Sequence, residues 1–296
     1  CKHIFKSARQ GITSILIDEN MTREDRVALP KWSSHCLVSS ISKICTPIAY
    51  EDVISNGIKC SAILLYEQWG WMYDQSSLYD FRTKYQEELV IHDRVDSSQI
   101  LDEEIDMFEA SIWSLSKTIG YKDGGIIYSN KKGFLEYEEF IPRLNLFGWN
   151  CLEDLNEHED LLDYLDKAYG SQPSLDLIGM VKSKLLDKYL EYESLRRLEN
   201  AELLLKYFPN EMLFHRLSIG SRPSVFPLCL YSQKEERTKV LNQCSELGVE
   251  VRSYNFNISP NPLEPKYIPC IALPIHSQVT LELIRQLGEC TEHHLN

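Results

Sequence analysis

The sequence predicts an α/β fold in which a large unit with a mostly parallel sheet is followed by a smaller C-terminal α+β unit, and three features predict it. Up to about residue 130, short apolar runs alternate with helix-like stretches, the pattern of strands and crossover helices. From Glu153 to about Phe208 the pattern turns helical and highly charged. Beyond residue 209, strand-like and helix-like segments alternate again over the rest of the chain.

Taken in order, the expected strands of the first part are Arg26–Leu29, Ile44–Ala49, Cys60–Tyr66, Leu89–His92, Ser111–Ser114 and Gly125–Tyr128, each a short apolar run. Helix-like pieces lie between them at Gln10–Ile17, Cys36–Ser42 and Tyr79–Glu87. Between Ser183 and Phe208, Leu185, Leu186, Leu190, Leu195, Leu198, Leu203, Leu204 and Leu205 recur at mixed helical spacing, which predicts a long helix linking two domains. After it, Val225–Tyr231, Val249–Val251 and Ile271–Pro274 read as strands, and Glu235–Leu247 and Val279–Leu287 as helices. The expected division is a large domain over residues 1–182, an interdomain helix over 183–208 and a small domain over 209–296. The sequence contains no internal repeat and no low-complexity segment.

Of the 296 residues, 43% are hydrophobic and 25% charged, the balance of a globular protein. A formal net charge of −13 gives no basic footprint for nucleic acid or an anionic membrane, so neither partner is expected. An anionic ligand would need a local basic site. The nine cysteines form no CxxC pair and have no histidine at zinc-ligand spacing, which reads as reduced thiols in a cytoplasmic protein and no metal. No apolar run approaches the roughly 20 residues of a membrane span. The start, Cys1-Lys2-His3-Ile4, has neither the apolar stretch of a signal peptide nor an initiating methionine, so the numbering is expected to omit a few native residues.

The chemistry-bearing candidate is Lys117. A lysine forms an imine with an aldehyde only if its amine is sometimes neutral and its position fixed, which favours a short turn at a strand end. Ser114-Leu115-Ser116-Lys117-Thr118-Ile119-Gly120, followed by Asp123-Gly124-Gly125, meets that need, with hydroxyls for a phosphate and glycines for close backbone approach. A surface lysine beside a Gly-Gly turn would look the same in isolation. Upstream, Val90-Ile91-His92-Asp93 puts a carboxylate at the end of an apolar strand, where open α/β sheets bind ligands. Near the start, Ser7-Ala8-Arg9 leads into a helix-like stretch whose N-terminal N–H groups suit a phosphate.

In this order, Ser7-Ala8-Arg9, Asp93 and Ser114 to Lys117 with Asp123-Gly124-Gly125 resemble the DegT-type aminotransferases, fold type I enzymes that use pyridoxal 5′-phosphate (PLP). Arg26-Val27-Ala28-Leu29-Pro30 is similar to a family strand ending in proline, and Tyr66 to Gly70 to the next strand end. Arg196-Arg197-Leu198-Glu199-Asn200 resembles the arginine-bearing interdomain helix, and Ile271 to Ile275 the Leu-Pro strand near the C-terminus. The resemblance implies that Lys117 holds PLP as a Schiff base and serves as general acid and base, while Asp93 pairs with the pyridinium nitrogen. It implies that Ser7, Ala8, Arg9 and Ser114 hold the phosphate and that Trp32 lies against the cofactor ring. It further implies a homodimer acting on an amino-acid donor, glutamate, and a keto-sugar, nucleotide-linked, as in polysaccharide biosynthesis.

One position departs from the pattern. Where the family places His or Gln to meet the cofactor's phenolic oxygen, three residues after the pyridinium aspartate, this chain has Asp96, and two anions facing each other there would repel. Ser97 or Ser98 takes the role, or Asp96 points elsewhere, or the cofactor's electronics change. The departure, with an N-terminus shorter than in most relatives, motivates an alternative, a PLP-binding or cofactor-free homologue with a structural or regulatory role; a PLP lyase or decarboxylase on the same scaffold is another. Among the histidines, His35 and His276 are the two that this fold would bring toward a substrate.

Overall fold

The computed structural model describes residues 2–5, 7–31, 33–71, 82–86, 88–98, 108–118, 124–129, 184–208, 221–228, 234–257, 259 and 261–295. Seven strands form one sheet: β1 (Lys2–Phe5), β2 (Arg26–Leu29), β3 (Thr46–Ala49), β4 (Ala62–Tyr66), β5 (Leu89–Asp93), β6 (Ala110–Ser114) and β7 (Gly125–Ser129). Their spatial order is β1-β7-β6-β5-β4-β2-β3. Pairings among β2 to β6 are all parallel, whereas β7 runs antiparallel to both β6 and β1. The sheet is therefore mostly parallel, as the alternating pattern predicts. Its central strands are buried on both faces, which is why they read as continuous apolar runs.

Helices cover the faces. Helix α1 (Ala8–Asp18) and α2 (His35–Ile41) pack with Val27, Leu29, Leu64, Tyr66 and Ile91 on one face, while Ala28, Ile63, Leu65, Val90 and Phe108 form the core of the other. Side-chain alternation then sets direction along β5: Asp93, two residues after Ile91, shares the face of α1 and α2, and His92 turns to the opposite one. Helix α3 (Tyr50–Asn56) is closed by Gly57 in the left-handed region. A single turn, α4 (Leu115–Thr118), follows β6.

Helix α5 (Lys184–Leu204) is the long helix expected over 183–208. Its buried positions Leu190, Glu193, Arg197, Ala201 and Leu204 recur at helical spacing. A second, antiparallel sheet follows in the order β8-β10-β9, from β8 (Val225–Leu228), β9 (Arg252–Asn257) and β10 (Tyr267–Pro274). It packs with α6 (Lys234–Glu246), α7 (Leu281–Leu295), the end of α5 and Trp71 into its own core.

The two sheets are joined near Gly70. The segment Gln68–Gly70 forms a 3₁₀ turn, and Arg222 N–H donates to the Gly70 carbonyl at 2.8 Å and Ser224 N–H to that of Trp69 at 2.8 Å. A Cβ on Gly70 would stand 2.1 Å from the Arg222 carbonyl oxygen, and its φ is +75°, so glycine alone fits.

Several boundaries move. Strand β1 and helix α3 were not expected from the pattern, since Lys2–Phe5 is short and α3 has no buried residue to give it a periodic signature. Val249–Val251 is not a strand: Val249 closes the end of α6, its N–H donating to the Cys244 carbonyl at 2.8 Å, and the strand is the more polar Arg252–Asn257. Trp32, Asp123, the stretch from Glu153 to 182 and most of Tyr79–Glu87 lie outside the described residues.

Candidate active site

The strands β2, β4, β5 and β6 all end at one edge of the sheet, and the segments that follow them supply the site. Ser33, Ser34 and His35 come after β2, Tyr66, Gln68 and Trp69 close β4, Asp96 follows β5, and Ser116 and Lys117 follow β6. With Ser224, Val225 and residues of β9 and β10 opposite, they enclose a cavity of about 560 Å³. This is where a parallel sheet exposes its loops and helix N-termini to a ligand.

Lys117 opens into this cavity, with half of its side-chain surface accessible there, and its Nζ lies 2.8 Å from Asp96 Oδ1. The buried Tyr66 hydroxyl donates to Asp96 Oδ2. Burial works against the Lys117 ammonium, but Asp96, and more distantly Asp93 and Cys36, offset it and raise the lysine above its ordinary range. Burial and the Asp96 charge likewise push the Tyr66 phenol far up. Asp96 is thus held between a cation and a phenol. Ser97 and Ser98 are engaged elsewhere: Ser97 Oγ accepts from Arg94 at 2.8 Å, and Ser98 Oγ lies 3.3 Å from Ser194 Oγ.

Asp93 is the last residue of β5, paired in register with Tyr66 and Ile112. Burial, with the Asp96 charge adding to it, raises its carboxyl to about 7, against the opposing pull of Lys117 and of the Val95 N–H, 3.1 Å from Oδ1. Behind it, on the other face, Glu67 accepts from His92 Nε2 at 2.7 Å and lies 3.2 Å from Arg94 Nε, all three fully buried. Burial opposes the Glu67 charge, yet Arg94 and His92 hold its pKa below the usual carboxylate value.

The expected phosphate-binding residues also converge. Gly125 is paired in register with both Phe5 and Ser114, and a Cβ on it would come within 2.4 Å of Ala8 N. Only a glycine there lets the start of α1 approach the end of β6. Ser7 caps α1 by accepting the Gln10 N–H at 3.2 Å, and Ser114 Oγ lies 3.0 Å from Ser116 Oγ. Arg9 is exposed on the first turn of α1.

Further groups meet at or beside the site. Arg197 of α5 donates to the Thr118 carbonyl at 2.7 Å, to the Ser224 carbonyl at 3.2 Å and to Glu193 at 2.7 Å, so it ties α4 to the second sheet. His35 lines the cavity, whereas His276 sits half-buried beside Arg197 and Glu193, its pKa lowered first by burial and then by Arg197. Trp69, Tyr254 and Tyr267 form an aromatic wall, with Asn255 and Asn257 between. Asn257 Oδ1 accepts the N–H groups of Ser259 and Lys266 at 3.0 and 2.8 Å, which fixes its amide with the NH₂ as the remaining donor. Trp69 has φ +54°, a conformation a bulky residue holds only when its surroundings impose it.

Residues 2–144 match a family model described as "Putative PLP-dependent aminotransferase". No curated protein sequence matches the chain. Among solved structures, DesV of S. venezuelae, in complex with a ketimine intermediate, is similar with a TM-score of 0.66 at 12% identity, over 99% of this chain and 84% of that one. A DegT DnrJ EryC1 StrS aminotransferase from Brucella abortus matches with a TM-score of 0.63 at 12% identity, over 99% and 85%. NtdA from Bacillus subtilis, with bound cofactor PMP, matches with a TM-score of 0.63 at 15% identity, over 99% and 73%. Residues 2–144 are thus similar to the PLP-dependent aminotransferases, and the fold is that of these solved fold type I enzymes.

Proposed function

We propose that this protein moves an amino group from an amino acid, glutamate, to a nucleotide-linked keto-sugar, with Lys117 as the cofactor lysine. The observation that carries the reading is that Lys117 opens into the cavity while the buried Asp93, at the end of the neighbouring strand β5, has its carboxyl raised to about 7. A carboxyl that burial keeps protonated in spite of Lys117 fits a cationic ring nitrogen, which would return it to the ionised form. The start of α1, held against Gly125 and beside Ser114, fits the phosphate. The residues therefore suit PLP, which when bound supplies the electron sink that lets a proton leave a substrate carbon.

The chain's own residues divide the remaining work. Lys117 takes up and returns a proton at Nζ. Asp93 faces the ring nitrogen, and Ser7, Ala8, Arg9 and Ser114 hold the phosphate through hydroxyls, N–H groups and a guanidinium, with Trp32 the aromatic candidate against the ring. On the acceptor side, Trp69, Tyr254 and Tyr267 offer faces for a sugar ring, and the Asn257 amide offers a donor for its oxygens. The parts over 1–182 and 209–296, bridged by α5, are read as two domains closing this cavity. Homodimeric assembly and a cytoplasmic location belong to the same reading; light scattering and cell fractionation test them.

The decisive experiment records the absorbance spectrum with PLP before and after glutamate, then analyses products with a nucleotide-linked keto-sugar. Formation of 2-oxoglutarate and an amino-sugar is expected, and borohydride should fix the pyridoxyl group on Lys117. Labelling of another lysine rejects the site, and release of carbon dioxide instead of 2-oxoglutarate rejects transamination.

A further inference from the structure

Lys117 is not a lone amine in its cavity. Its Nζ lies 2.8 Å from Asp96 Oδ1, while Asp96 Oδ2 receives the Tyr66 hydroxyl, so both carboxylate oxygens are held. The other titratable groups that face it are Asp93 at the end of β5, Tyr66 at the end of β4, and His35 and Cys36 on α2. Asp96 is the charged group paired with Nζ at contact distance. An ammonium has no lone pair, so it can neither attack a carbonyl carbon nor accept a proton. A lysine held in that form needs a neighbour that relieves it of the proton.

We propose that Asp96 is the proton partner of Lys117, holding it as an ammonium directed into the cavity and taking the proton when the amine must become nucleophilic. In this step one ammonium N–H bond breaks, its electron pair stays on Nζ, and an O–H bond forms at Asp96 Oδ1. The ion pair becomes a neutral pair, with no other reactant. Asp96 is buried, and there a neutral pair is less penalised by desolvation than two separated charges. Tyr66 is the positioning residue, because its O–H anchors the far oxygen of Asp96. The proposal rests on Lys117 being the cofactor lysine, but its test does not need the cofactor.

The test is competitive acetylation of the whole chain, freed of cofactor with hydroxylamine, over a pH series, with Lys117 and the exposed Lys59 quantified by mass spectrometry. In the wild type, the Lys117 midpoint should lie above that of Lys59. In Asp96→Asn it should fall by about one pH unit or more, giving roughly tenfold greater labelling at neutral pH. Asp96→Glu should return it toward the wild-type value, which a merely structural role would not require. A wild-type midpoint at or below that of Lys59, or an unchanged midpoint in Asp96→Asn, overturns the proposal. If Asp96→Asn does not fold, the wild-type comparison with Lys59 decides alone. Borohydride mapping of holoenzyme separately tests whether Lys117 is the cofactor lysine, so the two failures are distinguishable.

Discussion

Asp93 titrates near 4 in an unfolded chain, but burial moves its carboxyl to about 7 in the fold. Between those values the folded state binds the extra proton, so this residue's contribution to stability falls as pH rises from about 4 to 7. The upper limit is roughly 4 kcal/mol for a shift of about three units. Asp93→Asn removes the term, so the cofactor-free variant should gain stability over the wild type as pH rises from 5 to 8. Melting temperatures at the two pH values check this, and an equal pH dependence in both proteins would contradict it. The same variant should slow proton transfer from glutamate by orders of magnitude in single-turnover kinetics, because the ring nitrogen loses its ion pair. Arg9→Ala should weaken PLP binding roughly ten- to a hundredfold, as loss of a charge-assisted hydrogen bond of about 1.5–3 kcal/mol would. Equilibrium titration by absorbance reads it, and an unchanged PLP affinity with weaker keto-substrate binding would move Arg9 to the substrate site.

The elements that carry these residues are held by contacts a few atoms wide. Helix α1 reaches β6 across Gly125, where a Cβ would meet Ala8 N at 2.4 Å. Gly125→Ala should therefore displace the start of α1, cost about 1–3 kcal/mol in denaturant unfolding and weaken PLP binding at the same time. If stability falls and PLP affinity does not, the start of α1 is not the phosphate site. On the other side, Arg197 holds the carbonyl that ends α4 and pairs with the buried Glu193. Breaking such a pair from one side costs about 3–5 kcal/mol, so Arg197→Ala should unfold at markedly lower denaturant. Arg197→Lys should recover only part of the loss, since one ammonium cannot reproduce a fork that spans Glu193, Ser224 and Thr118.

Across the whole molecule, the cavity exists because two sheets face each other over the strand ends. At Gly70 the turn after β4 meets the segment before β8, with the Arg222 carbonyl oxygen 2.1 Å from the place of a Cβ. Gly70→Ala adds both that overlap and a strained positive φ, costs of about 1–3 and 1–2 kcal/mol respectively. The variant should lose more than Gly57→Ala, whose glycine also has a positive φ but has open space around it. Differential denaturation of the two variants measures the contact alone, and equal losses would refute it.

By itself the sequence determined the alternation of apolar runs, and with it the parallel strands, their shared end and the long helix α5. These follow from periodicity and burial, which a single chain records locally. It also singled out Lys117, Asp93, Ser7 and Ser114, because a strand end, a helix start and a glycine turn each have a local signature. The sequence could not show that Asp96 faces Lys117 and Tyr66, residues 21 and 30 positions away, since side-chain partners across strands depend on the order of the sheet. Nor did it show Arg197 beneath α4, or the wall of Trp69, Tyr254 and Tyr267, which spans both sheets. Contacts of that kind arise when distant segments are packed into one volume, and only the tertiary structure decides which of them meet.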